Sequence, residues 1–305
     1  MNRKYALIAI LMAAILGGGY WYYMVTSFES SVGTNNSFVV HDNEDTLSNG
    51  TNDSLLSLEF ESGTDNLEWS FTTIMLDDGQ SQFDCTLGGL SSKTQTEGKV
   101  QTNLNADGRT FTVSIDATSE DTYTDFSLSS MSESTNENFS LSFSKTDIYF
   151  GEEISWLKVD DTEFNQLTAP PSDNFSNDVS ERLDWYDYDL SVHRVEPKDR
   201  IFLLNDGEFT YKVQFINYYN ANDESRHVTM IVSWFGNQSI PAINNPDLIQ
   251  ESPCVILDDD DYWSFNETIQ IQENGIDICQ TICRLDITIV FQNVEVKGPE
   301  SIELN

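Results

Sequence analysis

The chain has 305 residues, with 51 Asp and Glu against 15 Lys and Arg, a formal net charge of -36. That excess excludes wrapping of nucleic acid and basic-patch binding to an anionic membrane, because the phosphates would be repelled. With 39% hydrophobic and 12% aromatic residues the chain still has the means to build a core, so charge alone does not make it disordered.

The first element is an uncharged run from Tyr5 to Val25, preceded by Arg3 and Lys4 and followed by Glu29. About 20 residues at 1.5 Å rise span roughly 30 Å, the thickness of a bilayer core. The run therefore predicts a membrane helix over residues 1–27, with the N-terminus inside and the remainder extracytoplasmic. Tyr20, Trp21, Tyr22 and Tyr23 suit an interfacial aromatic belt. A cleaved signal peptide is the competing reading, with Gly17–Gly19 the sole candidate for a small-residue cleavage site. Residues 1–30 carry a net +1, so the exported remainder carries -37. Residues 28–53 are polar, Ser/Asn-rich and aperiodic, which predicts a stalk.

From there the pattern is strand after strand. Leu67–Leu76 reads as one strand followed by Asp78-Gly79. Val100–Leu104 and Thr110–Ile115 flank Asp107-Gly108. Arg200–Leu204 and Glu208–Ile216 flank Asp206-Gly207. His227–Trp234, Thr268–Gln272 and Leu285–Phe291 complete the series. Asp-Gly between β-rich runs is a strong hairpin signal, because its turn needs positive φ. The expected fold class is all-β, built of sandwich-like domains, with the stretch around Pro170-Pro171 a loop.

The four cysteines, Cys85, Cys254, Cys279 and Cys283, are even in number, and in an exported chain they predict two disulfides. Three connectivities are formally open, and Cys279–Cys283 with Cys85–Cys254 is the most economical. A metal reading is weaker, since no His lies near either group. A Cys85–Cys254 bridge would join residues 54–95 and 241–305 into one β module, with residues 96–240 inserted between them. Such an insertion is easy when its ends lie close together.

The segment Leu183–Trp234, which includes LDWYDYDLSVHRVEPKDRIFLLNDGEFTYKVQFINYY, resembles the C-terminal half of the HmuY-like family of exported haem-binding β-proteins. The matching features are a Trp-rich loop, a Pro-x-Asp entry, a Gly turn, a Tyr-Lys strand, a Tyr-Tyr-Asn and a final alternating strand. Phe111–Ala117 and Asn138–Gly151 resemble the family's earlier strands, with Phe139 where a Trp is expected. The flanking stretches (LEWS and Cys85; Cys254, Trp263 and ENGIDICQTIC) resemble a β module of exported marine archaeal proteins.

The first resemblance implies a β-domain over 96–240 that holds haem or a related tetrapyrrole through loop side chains. The chain has three His. His41 lies in the stalk. His193, in the Trp-rich loop, and His227, opening the last strand, are the candidate cofactor ligands, with Trp185, Tyr186, Tyr188, Tyr218 and Tyr219 to line a slot. Against this stands an ordinary loop His and an ordinary strand-edge His.

Other motifs favour bland readings. Asn103, Asn105, Asp107 and Gly108 resemble the start of a calcium loop, but Ser114 replaces the bidentate Glu and a hairpin turn is favoured. Asp258–Asp261 is read as a solvated acidic loop rather than a Ca²⁺ site. No G-x-S-x-G or H-E-x-x-H motif is present, so no enzyme activity is expected. Sequons begin at Asn35, Asn49, Asn52, Asn138, Asn174, Asn237 and Asn266, and on an exported domain they are plausible glycan sites. The function expected is a membrane-anchored extracytoplasmic haem-binding protein, and the alternative is a structural or adhesive surface β-protein without a cofactor.

Overall fold

Strand Thr210–Tyr219 is ten residues long and buried for much of its length. Side chains alternate across a strand. Tyr211, Val213 and Phe215 therefore face one layer, and Lys212, Gln214 and Ile216 the other. In the computed structural model this strand is central to a six-stranded antiparallel sheet. The sheet runs Ser155–Asp160, Arg200–Asn205, Thr210–Tyr219, Ser225–Trp234, Phe111–Asp116, Val100–Leu104. The structure describes residues 3–27, 35–41, 55–60, 67–77, 82–93, 95, 97–135, 138–252, 254–257, 262–263, 269–273, 286–292 and 299–304.

Each face of the sheet has its own core. On one side Phe111, Val113, Phe202, Leu204, Tyr211, Val213, Phe215 and Met230 pack with Phe126, Leu141, Phe143, Ile148 and Phe150. Those last residues come from a second sheet, ordered Ser132–Glu133, Thr124–Ser127, Leu141–Ser144, Asp147–Phe150. The result is a β-sandwich, in which each buried Phe contributes roughly 2–3 kcal/mol. On the other side Ile201, Leu203, Ile216 and Ile231 meet Phe164, with Phe71, Leu157 and Phe235 at the margin.

Two of the three Asp-Gly pairs turn the chain between paired strands, with positive φ at the Gly and not at the Asp. Asp107 accepts hydrogen bonds from the Arg109 and Thr110 N–H groups, and Gly108 has φ +66°. Asp206 caps its own turn through the Glu208 and Phe209 N–H groups, and Gly207 has φ +94°. Asn103–Gly108 is thus a hairpin connection. Asp78-Gly79 and Asp258–Asp261 lie outside the described residues.

Three readings change. Leu67–Leu76 is not one strand: Leu67–Glu68 is followed by a 3₁₀ turn, Trp69–Phe71, and then Thr72–Asp77. The turn buries the Trp69 side chain completely, which a continuous strand would have set by alternation alone. Residues 35–41, read as stalk, form strand Asn35–His41, paired with Asp286–Gln292. The Trp-rich loop is a hairpin, Tyr186–Asp189 with Arg194–Pro197.

The N-terminal run is helical over Arg3–Ser27. The membrane crossing expected of it is not supported: among the described residues no helix is long and apolar enough to cross a membrane.

Cys85 and Cys254 form a disulfide with Cα atoms 5.2 Å apart, across a sequence separation of 169. In the chain-entropy model a loop this long stabilises the fold by about 5 kcal/mol. Cys279 and Cys283 lie outside the described residues. Beside the bridge, Thr86 and Val255 form a parallel β-bridge, and the Ser252 hydroxyl donates to the Asp84 carbonyl at 2.6 Å. Buried Asn105 links the 3₁₀ turn to the central sheet. Its Nδ2 donates to the Ser70 carbonyl at 2.6 Å, and its Oδ1 accepts from Thr112 at 2.8 Å.

Gly151 is required by close approach. A Cβ there would run into the carbonyl oxygen of Phe139, which is backbone and cannot swing away. Gly151→Ala is expected to cost about 1–3 kcal/mol in denaturant unfolding. Asp84 supplies a pH-dependent contribution. Its carboxylate is buried, and burial pushes its pKa from 3.8 up to about 7, against hydrogen bonds that include the Ser92 N–H. Below about pH 4 both folded and unfolded states carry the proton. As pH rises towards 7 only the unfolded state ionises, so stability falls by up to about 4 kcal/mol and then levels off. Asp84→Asn keeps the acceptor and removes that slope, which denaturation across this pH range will show.

Candidate functional site

The hairpin Tyr186–Asp189/Arg194–Pro197 carries His193 at its turn. The turn is built by Asp189, whose carboxylate accepts from the Ser191 N–H and hydroxyl at 2.7 and 2.6 Å. His193 closes it with φ +57°, a left-handed conformation that His tolerates better than most side chains. Val192 turns inward and is buried, while Leu190 is 74% exposed.

The imidazole of His193 is exposed and held on two sides. Its Nδ1 lies 2.9 Å from the Tyr188 hydroxyl. The Trp21 ring from the N-terminal helix meets it edge-on, centroids 5.1 Å apart. When Nδ1–H donates to the phenol, Nε2 keeps its lone pair for a metal, the arrangement by which a ring partner orients a ligating His.

The next residue anchors the hairpin. Arg194 makes two hydrogen bonds to Asp223, at 3.0 and 2.5 Å, and its guanidinium lies 3.8 Å from the Tyr219 ring centroid. Bidentate geometry stacked on an aromatic face is a site where Lys would not substitute. Tyr219 then accepts from the Val195 N–H at 2.9 Å. These contacts tie the hairpin to the turn between Thr210–Tyr219 and Ser225–Trp234.

His227 lies just beyond that turn, half-buried on the last strand of the segment and opposite Asp116. Burial raises the Asp116 pKa, but the Thr118 hydroxyl and N–H, with His227 and Lys99 nearby, hold it below the usual value. Among the described residues no contact joins His227 to His193. The side chain of His41 lies outside the described residues.

The five aromatic residues read as slot lining divide. Trp185 is fully buried, and its indole N–H donates to the Thr146 carbonyl at 2.9 Å. It packs on Tyr186, Phe215 and Tyr218, with centroids 5.1, 5.2 and 6.0 Å away. Tyr218 is also buried, and burial raises its hydroxyl pKa. Both belong to the sandwich core, where large apolar rings contribute most. Tyr186 and Tyr219 are half-buried, and Tyr188 is 47% exposed. Sequence reasoning missed the Tyr188–His193 contact. The signal was present as an i, i+5 spacing across a tight turn, but a loop reading hides it.

No family model matches the chain, and no curated protein matches it. The solved structures similar to this chain include HmuY-like haem-binding proteins. A Bacteroides fragilis protein described as a lipoprotein shares 15% identity over 48% of this chain and 100% of its own, with a TM-score of 0.37. A Bacteroides vulgatus protein described as HmuY-like and haem-binding shares 14% identity over 43% and 94%, with a TM-score of 0.35. An apo HmuY analogue from Tannerella forsythia shares 11% identity over 68% and 100%, with a TM-score of 0.29. Likeness at this level does not carry a functional argument, and the likeness of the flanking stretches to an archaeal module finds no support in it.

Replacing Tyr219 by Phe leaves the buried Val195 N–H without its acceptor. The expected cost is about 1–3 kcal/mol, with faster amide exchange confined to residues 186–197.

Proposed function

We propose that the chain is an exported β-protein that captures haem or a related tetrapyrrole at the tip of the Tyr186–Pro197 hairpin. The observation that carries this is the exposed His193 imidazole, oriented through Nδ1 by Tyr188 with Nε2 on the other side of the ring. Haem supplies the iron that takes such a nitrogen. The chain would supply the His193 imidazole as a donor to that iron, with the exposed Tyr188 and Leu190 on the same hairpin and an anchor that keeps the donor in place. His227 is the second ligand candidate, disfavoured by its half-burial against Asp116. Export is supported by the Cys85–Cys254 disulfide, a bond kept in oxidising compartments, and by the hydrated acidic surface. The division into an inserted domain over 96–240 and a surrounding module over 54–95 and 241–305 belongs to the same proposal. The disulfide and the Asn105 contacts support it.

A haem titration of the full chain tests the reading. A Soret shift at micromolar haem is expected, weakened at least about tenfold in His193→Ala and less in Tyr188→Phe, with His227→Ala close to the parent. No spectral change in the parent sinks it and favours a surface β-protein without a cofactor, the reading suited by Trp185 and Tyr218 being core residues.

A further inference from the structure

Lys212 lies on the second face of the central sheet, among aromatic side chains. It is 9% exposed. Its ammonium sits 4.3 Å from the Phe164 ring centroid and 5.7 Å from that of Phe235. Its Nζ donates to the Phe164 carbonyl at 3.0 Å. The residue after Phe164 is Asn165, whose side chain is held at both ends. The Ser70 hydroxyl donates to its Oδ1 at 2.8 Å, and its Nδ2 donates to the Glu68 carboxyl.

These are the parts that an amide exchange needs. A nucleophilic amine bonds the backbone carbonyl of Phe164, the residue next to the one that bears the carboxamide. A hydroxyl polarises the carboxamide oxygen, and a carboxyl group touches the nitrogen that would leave. We infer that Lys212 and Asn165 are a self-modifying pair that forms an intramolecular isopeptide bond, with Glu68 as the proton shuttle and Ser70 at the carbonyl oxygen. The Lys212 Nζ–Asn165 Cγ bond forms and the Cγ–Nδ2 bond breaks. One Nζ proton passes through Glu68 to Nδ2, which leaves as ammonia. No oxidant, reductant or metal is needed.

The environment shifts both groups towards their reactive forms. Burial lowers Lys212 to about 8, with Asp107 opposing, Arg109 adding to the fall and Glu68 opposing it. Burial raises Glu68, the Asn165 bond opposes this, Glu163 adds to it and Lys212 opposes it. Burial thus weakens the charged form of both groups, which raises the share of neutral amine and of protonated acid. The product joins the loop after Ser155–Asp160 to the central strand Thr210–Tyr219. The acid comes from Glu68, far away in sequence, so the bond forms only after the fold has assembled.

Intact-mass measurement of the full, folded chain tests this directly. The expected mass is short by one ammonia after disulfides are counted. Proteolysis should give a branched peptide joining Lys212 to Asn165, with no cleavage after Lys212. Glu68→Gln and Lys212→Arg should each restore the linear mass. An unshifted mass in the parent protein, with normal cleavage at Lys212, overturns the inference. So does loss of ammonia that persists in Lys212→Arg, which would mark cyclisation at Asn165 alone.

Discussion

The molecule depends on one constraint: the central sheet is covered on both faces. Strand Thr210–Tyr219 presents Tyr211, Val213 and Phe215 to the sandwich and Ile216 to the Phe164 layer. A sheet covered twice has no solvated face on which to place a polar side chain, so each polar residue there needs a built partner. Lys212 meets that demand through a backbone carbonyl and two aromatic rings. Elsewhere buried Asn105 and Asp84 are likewise hydrogen-bonded, Asn105 to Ser70 and Thr112 and the Asp84 carboxyl to the Ser92 N–H.

The acid excess coexists with this core because most of it stays in water. The cations that are paired lie at seams. Arg200 bonds Asp160 and Asp184, and Arg194 bonds Asp223. Exposed pairs such as Lys158–Asp160 contribute little. Arg194 differs because Tyr219 shields it, and it holds the hairpin on which His193 rides. The anchoring of the candidate ligand is therefore a long-range matter, although the ligand itself sits in a tight turn.

Much of the fold could be read from the chain. The Asp107-Gly108 and Asp206-Gly207 turns and the alternating runs beside them are local signals, and the structure forms strands there with ends within three residues of those read. Alternation failed where side-chain size overrode it, as at Trp69, whose burial bends the strand into a 3₁₀ turn. It also failed at Tyr186–Pro197, because four short strand residues around a left-handed His carry no period to detect. At the site, the His candidates were legible as residue types. Their settings were not, since Tyr188 turns outward while Trp185 and Tyr218 turn inward, and all three look alike in a string of aromatics.

Composition and spacing by themselves determined the all-β class and the positions of the hairpin turns, and favoured Cys85–Cys254 among three open connectivities, which the structure then formed. Those features arise from backbone preferences, periodicity and parity, which are local or countable. Tertiary structure alone decided which aromatics form the core, which imidazole is oriented and exposed, and that Glu68 and Ser70 meet Asn165 while Lys212 bonds the carbonyl of Phe164. Each of those outcomes depends on contacts between segments tens of residues or more apart, and no local pattern encodes which distant side chain will lie at 3 Å.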